Sequence, residues 1–115
     1  MPNFNIKHED KVRLKHMLDA ALEIHQYVKA SKREDLDNDR KLVHSLVRLF
    51  EIIGEAASQV SDELRENINE IPWFIIIGMR NRLIHAYFSI NLDVVWKTST
   101  EDIPSLIKEL ERLLD

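Results

Sequence analysis

The sequence predicts an all-α fold, an antiparallel bundle of four to five helices, on three observations. Every strong hydrophobic repeat has the 3–4 spacing of a helix face, and none alternates as a strand does. Turn formers are scarce: the 115 residues include two glycines and three prolines, too few for a β-sandwich or barrel that must turn every ten residues or so. Hydrophobic residues make up 44% and charged residues 31% with no shift along the chain, so one domain over residues 1–115 is expected, with a single core.

The first helix runs from about Asp10 to Val28. Leu14, Met17, Leu18, Ala21, Leu22, His25 and Val28 fall on one face of it. Ser31 to Asp39 carries six charges in nine residues and reads as an exposed connection. A second helix follows from Asp39 as N-cap to about Val60. Its apolar set, which includes Leu42, Leu46, Phe50, Ile53 and Val60, spans more than one face. That breadth predicts a central helix facing both the core and a second chain. Ser61 to Glu70 is polar and reads as a turn or loop. Pro72 suits the first turn of a third helix, where its missing N–H costs nothing, and that helix should continue to near Tyr87. Asn91 is the N-cap of a fourth helix through Trp96. Thr100 and Pro104 mark another start, with Glu101 and Asp102 suited to its first turn, leading into an amphipathic tail of Ile103, Leu106, Ile107, Leu110 and Leu113. Trp73 and Trp96 read as core anchors rather than base-stacking platforms.

Composition removes several classes of function. Cysteine is absent, which excludes disulfide scaffolds, thiolate catalysis and cysteine-type zinc sites. His8, His16, His25 and His44 have no histidine partner one helical turn away, so no metal site and no cofactor is expected. No apolar run approaches a membrane span and no signal-peptide pattern opens the chain; the expectation is a cytoplasmic protein without membrane contact. The net charge of −4 argues against a broad basic face, so a polyanion would have to be met by a local cluster.

One segment departs from ordinary amphipathic patterning: Gly78-Met79-Arg80-Asn81-Arg82-Leu83-Ile84-His85-Ala86-Tyr87. On a helical wheel Trp73, Ile76, Ile77, Leu83, Ile84 and Tyr87 all fall within roughly 60° of Arg80. Arg80 therefore sits in an apolar stripe, and its permanent charge needs a polar or anionic partner there. Two readings follow from spacing alone. Arg80 pairs with a core carboxylate such as Glu51 or Glu55, or it works with His85 on a phosphate. An imidazole titrates near neutral pH and moves protons, and a guanidinium binds phosphate oxygens bidentately as charge builds up. His85 lies about 140° from Arg80 on the wheel, so the second reading needs an unwound helix end or a second chain.

The run Arg80-Asn81-Arg82-Leu83-Ile84-His85-Ala86-Tyr87 resembles the R-x4-6-H-x-Y motif of the HEPN superfamily, in its HepT-like toxin branch. Ile53-Gly54-Glu55-Ala56-Ala57, Ile71-Pro72-Trp73 and Val94-Val95-Trp96 resemble the flanking segments in the same order. The likeness covers roughly Leu42 to Leu113. Ala86 departs from relatives that carry a polar residue between the histidine and the tyrosine.

The resemblance implies an all-α homodimer with its cleft between protomers, acting as a metal-independent endoribonuclease on RNA, with tRNA a candidate. It implies Arg80 and His85 as catalytic residues, Asn81 as an auxiliary residue holding the histidine or the phosphate, and no metal. It further implies a cognate MntA-type nucleotidyltransferase antitoxin that transfers AMP to Tyr87. A two-fold axis near the third helices would gather two copies of Arg80 and His85, and Arg80 and Arg82 would then supply the positive field. Two other readings stay open on the sequence: a module that binds nucleotide or RNA without cutting it, and a structural partner subunit with Arg80 in a buried ion pair.

Overall fold

The computed structural model describes residues 5–86 and 89–115, with His85 and Ala86 described through their backbone alone. Helix α1 (His8–Lys29) buries Leu14, Met17, Ala20, Ala21, Ile24 and Val28. The buried face is turned slightly from the expected one, with Ile24 on it and Leu22 exposed. The cause is that α1 packs on two later helices, α3 and α8, rather than on one. The connection to α3 is also more ordered than its charge suggests. A short helix, α2 (Asp35–Asn38), inserts Leu36 into the core, and Arg33 donates to Asp93 at 2.7 Å and to Asp37 at 3.3 Å.

Helix α3 (Arg40–Ser58) starts where the sequence places it, with the Asp39 carboxylate accepting the Leu42 N–H at 3.1 Å. It is the central helix. Most of its apolar residues pack within the chain: Val43, Leu46, Val47, Leu49, Phe50, Ile53, Ala56 and Ala57 are buried because α1 covers one side and the two helices after Pro72 cover the other. Leu42 and Ile52 on the same helix are only partly buried.

Ser61 to Glu70 is not a plain loop. Helix α4 (Asp62–Asn67) begins at Ser61, whose hydroxyl accepts the Leu64 N–H, and Leu64 and Ile68 are buried. The buried Asp10 carboxylate accepts both the Ser61 backbone N–H at 2.9 Å and the Ser61 hydroxyl at 2.6 Å. This joins the start of α1 to the start of α4 and satisfies a charge that would otherwise be expensive to bury. Trp73 is buried and donates its indole N–H to the Ile68 carbonyl at 2.8 Å, the core anchor expected of it.

The expected third helix is broken. Helix α5 (Trp73–Ile77) stops at Gly78, and α6 (Met79–Leu83) ends where Ile84 turns extended. Glycine is a poor helix residue, and here it separates two single turns. Strand β1 (Ile84–Ala86) then pairs antiparallel with β2 (Ser89–Ile90), with an irregular register between Ile84↔Ile90 and Ala86↔Ser89. The Leu83 carbonyl takes the Asn91 N–H at 2.8 Å, so the end of the helix finds its hydrogen-bond partner in the hairpin rather than in another helical turn.

Asn91 then caps α7 (Leu92–Lys97) as expected, accepting the Val94 N–H. The separate start at Thr100 does not occur. A π-helical turn over Thr98–Asp102 runs unbroken into α8 (Ile103–Leu114). The wider turn accommodates Pro104, which has no N–H to give an α-helical ladder. The fold is all-α, with the short hairpin as its one β element among the described residues. No helix among them is long and apolar enough to cross a membrane.

Candidate active site

Helix α3 and the α5–α6 break form the site because Gly54 lets them approach. A Cβ at Gly54 would stand 3.2 Å from the Ile76 carbonyl oxygen, a tight contact that a hydrogen atom avoids, and in ordinary contact with that of Ile77 at 3.6 Å. The approach leaves a cleft of about 330 Å³ lined by Arg48, Glu51, Glu55, Ser58, Ile77 and Arg80.

Arg80 projects into this cleft from α6, with 57% of its side chain exposed. It does not lie in a buried apolar stripe. The break at Gly78 removes the continuous helix on which that stripe depends, and Trp73, Ile76, Met79 and Leu83 fill the core beside it. The Arg80 Nε–H donates to Glu51 Oε2 at 2.7 Å. Of the two carboxylates the sequence offers, Glu51 is the partner; Glu55 instead accepts from Gln59 Nε2 at 3.1 Å. The Glu51 contact occupies the Nε–H, and the guanidinium has further N–H donors with which it could bind an anion.

Asn81 follows Arg80 on α6 and is exposed. The His85 backbone lies in β1, so angles taken from one continuous helix do not describe its relation to Arg80. The His85 side chain and the whole of Tyr87 lie outside the described residues. Arg82 is not part of the Arg80 cleft. It borders a separate groove of about 490 Å³ between α5–α6 and α8, together with Glu70, Asp102, Lys108 and Glu109. The second arginine at Arg80 is Arg48, which the sequence pattern does not single out. Its signal is nonetheless present: Arg48 stands three residues before Glu51 on α3, on the same helix face. Among the described residues, no group of three or more His, Asp or Glu side chains is placed to hold a metal ion.

A family model described as ribonuclease HepT-like matches residues 17–113 of the chain. A protein of Caldanaerobacter subterraneus subsp. tengcongensis named "Putative RNase" is 39% identical over 88% of this chain and 90% of its own length. One of Methanocaldococcus jannaschii, also named "Putative RNase", is 33% identical over 91% of this chain and 96% of its own. A Thermococcus cleftensis protein named "Probable ribonuclease HepT" is 37% identical over 94% of this chain and 98% of its own. No solved structure matches the chain.

Proposed function

The chain belongs to the ribonuclease HepT-like family and is an endoribonuclease, and from that premise we propose that it cuts RNA without a metal ion, as the toxin of a toxin–antitoxin pair. The observation that carries this reading is Arg80, which stands at the motif position with its Nε–H held by Glu51 and its side chain open to a cleft. In the proposed reaction His85 removes the proton of a ribose 2′-hydroxyl. The 2′ oxygen attacks the adjacent phosphorus, and the charge that builds on the phosphorane is met by Arg80. The bond to the 5′ oxygen breaks, and that oxygen takes a proton from a second His85 or from water. The products are a 2′,3′-cyclic phosphate and a 5′-hydroxyl end. Asn81 holds the histidine or the scissile phosphate.

The proposal includes a homodimer with the cleft completed between protomers. Phe74, 91% exposed, and Ile75, 48% exposed, support it, because they form an apolar patch on the helix that leads to Arg80. It also includes a nucleotidyltransferase antitoxin that places AMP on Tyr87. The decisive experiment is cleavage of RNA in EDTA by the purified chain, with Arg80→Ala and His85→Ala. Each variant should lose about 10²–10⁴-fold in rate. Cleavage that EDTA abolishes, or that both variants retain, overturns the mechanism.

A further inference from the structure

The Arg80 cleft does not end at α3. A second, smaller cleft of about 160 Å³ lies between α1 and α3, lined by Arg13, His16, Arg48, Ile52, Glu55 and Gln59. The two clefts share Arg48 and Glu55 as a common wall. Three arginines from three different helices therefore stand in sequence across the surface: Arg80 on α6, Arg48 on α3 and Arg13 on α1. Arg33, Arg65, Arg80 and Arg112 each have a carboxylate partner. Arg13 and Arg48 take part in no ion pair among the described residues. Arg40 and Arg82 are likewise in no ion pair among those residues, but Arg13 and Arg48 are the two that line these adjoining clefts, a local positive feature in a chain of net charge −4.

We infer that this groove, from Arg80 past Arg48 to Arg13 and His16, carries the RNA phosphate backbone on one side of the cleavage point. The inference rests on the ribonuclease reading and extends it to the substrate's path. The groove's form fits a strand better than a small anion. The two clefts share a wall, and Arg80, Arg48 and Arg13 are distributed across them rather than gathered in one. Arginine suits the task because its planar fork takes phosphate oxygens in pairs. His16, one helical turn from Arg13, adds a ring nitrogen that can donate a hydrogen bond to a phosphate oxygen. Glu55 opposes the arginines. Its carboxylate lies in the shared wall, drawn along α3 by the Gln59 amide, and it holds the affinity of the groove down.

The test uses the full chain carrying His85→Ala, so that substrate persists, and a fluorescent single-stranded oligoribonucleotide that the wild type cleaves. Arg48→Ala and Arg13→Ala should each weaken binding at least several-fold. Each should also lower the slope of log affinity against log salt, between about 50 and 200 mM, by about 0.7 for every phosphate the variant no longer neutralises. In the cleaving background the same substitutions should raise KM and leave kcat near its starting value. Glu55→Gln should tighten binding. Lys29→Ala, about 20 Å farther along α1 than His16 by helical rise, should change neither affinity nor slope. Unchanged KM, affinity and salt slope in Arg48→Ala and Arg13→Ala, with cleavage intact in the wild type, overturns the groove and leaves the ribonuclease reading standing. A wild type that neither binds nor cuts RNA overturns both. Variants with unchanged RNA affinity that escape a protein inhibitor would mark the groove as a protein-docking surface, and also overturn the inference.

Discussion

The Nε–H of Arg80 meets Oε2 of Glu51 at 2.7 Å, joining α6 to α3 across 29 residues of chain. Both side chains are open enough to water, 57% and 30% exposed, that the pair adds little to stability; exposed ion pairs are worth about 0–1 kcal/mol. What the contact does is directional. An arginine on a five-residue helix beside the helix break at Gly78 has many rotamers, and one strong hydrogen bond at Nε narrows them to those that reach Glu51.

Glu51 should therefore act through Arg80 rather than on substrate. Glu51→Ala is expected to lower kcat about 10- to 100-fold, the scale of effect of a small misplacement of a reacting group, with thermal stability nearly unchanged. Glu51→Gln keeps an oxygen acceptor for Nε and should recover most of the missing rate. Steady-state kinetics with a melting curve for each variant checks this. A fall in Tm that tracks the fall in kcat, or no recovery with Gln, would mean that Glu51 only docks the helices.

Gly54 sets the distance between the two walls of the cleft. A valine there drives methyl groups against the Ile76 carbonyl, already 3.2 Å from a bare Cβ. Overpacking of this kind costs about 1–3 kcal/mol, so Gly54→Val should lower Tm by roughly 4 °C per kcal/mol and impair cleavage as Arg80 moves from Glu51. Gly54→Ala should cost much less, because alanine gains about 1 kcal/mol of helix propensity over glycine. Calorimetry on the pair distinguishes them; equal Tm for valine and wild type would refute the close approach.

Helix type and order are legible in the sequence because periodicity and caps are local. Asp39 and Asn91 cap the helices expected of them, and the 3–4 spacing of Leu14, Met17 and Ala21 marks a buried face. Short elements are not legible. Leu36 is the one apolar residue of α2 and Leu64 the one of α4, with Ile68 just beyond its end, and one or two apolar positions are too few to define a period. The wheel fails at Arg80 for a physical reason: it assumes one continuous helix from Trp73 to Tyr87, whereas a break at Gly78 and the pairing of Ile84 with Ile90 replace it. Of the site, the motif locates Arg80, and the carboxylate alternatives include its actual partner Glu51. Arg48 escapes the pattern because its place at the cleft depends on tertiary packing of α3 against α6.

Acid should reveal the contact between α8 and the loop before α5. Glu70 is held below its ordinary pKa of 4.5, first by hydrogen bonding to its own backbone N–H and further by Arg112, whose Nη2 is 3.5 Å away. A carboxyl with a depressed folded-state pKa stabilises the fold above its unfolded value, and that contribution disappears as pH falls through the folded value. The Tm of Glu70→Gln should therefore lie slightly below that of the wild type at neutral pH, and the two should converge well below pH 4.5. A gap that persists unchanged in acid would assign the effect to packing instead of charge.

In the proposed control of this activity, Tyr87 is the residue modified. AMP joined to its hydroxyl would bring a phosphodiester, with one negative charge, and an adenosine to a tyrosine seven residues from Arg80. The phosphate would compete with substrate for the guanidinium, and the nucleoside would obstruct the cleft. Co-expression with the nucleotidyltransferase partner should add about 329 Da per AMP to the chain, as a covalent charge-bearing modification does, and silence cleavage. Tyr87→Phe should keep much of the ribonuclease activity, since the hydroxyl has no part in the proposed proton transfers, and should escape silencing. Intact-mass and peptide mass spectrometry read the first outcome, and cleavage by the co-expressed variant reads the second. Modification at another residue, or inhibition that persists in Tyr87→Phe, would show that the partner acts by binding and not by blocking Arg80 with a tethered nucleotide.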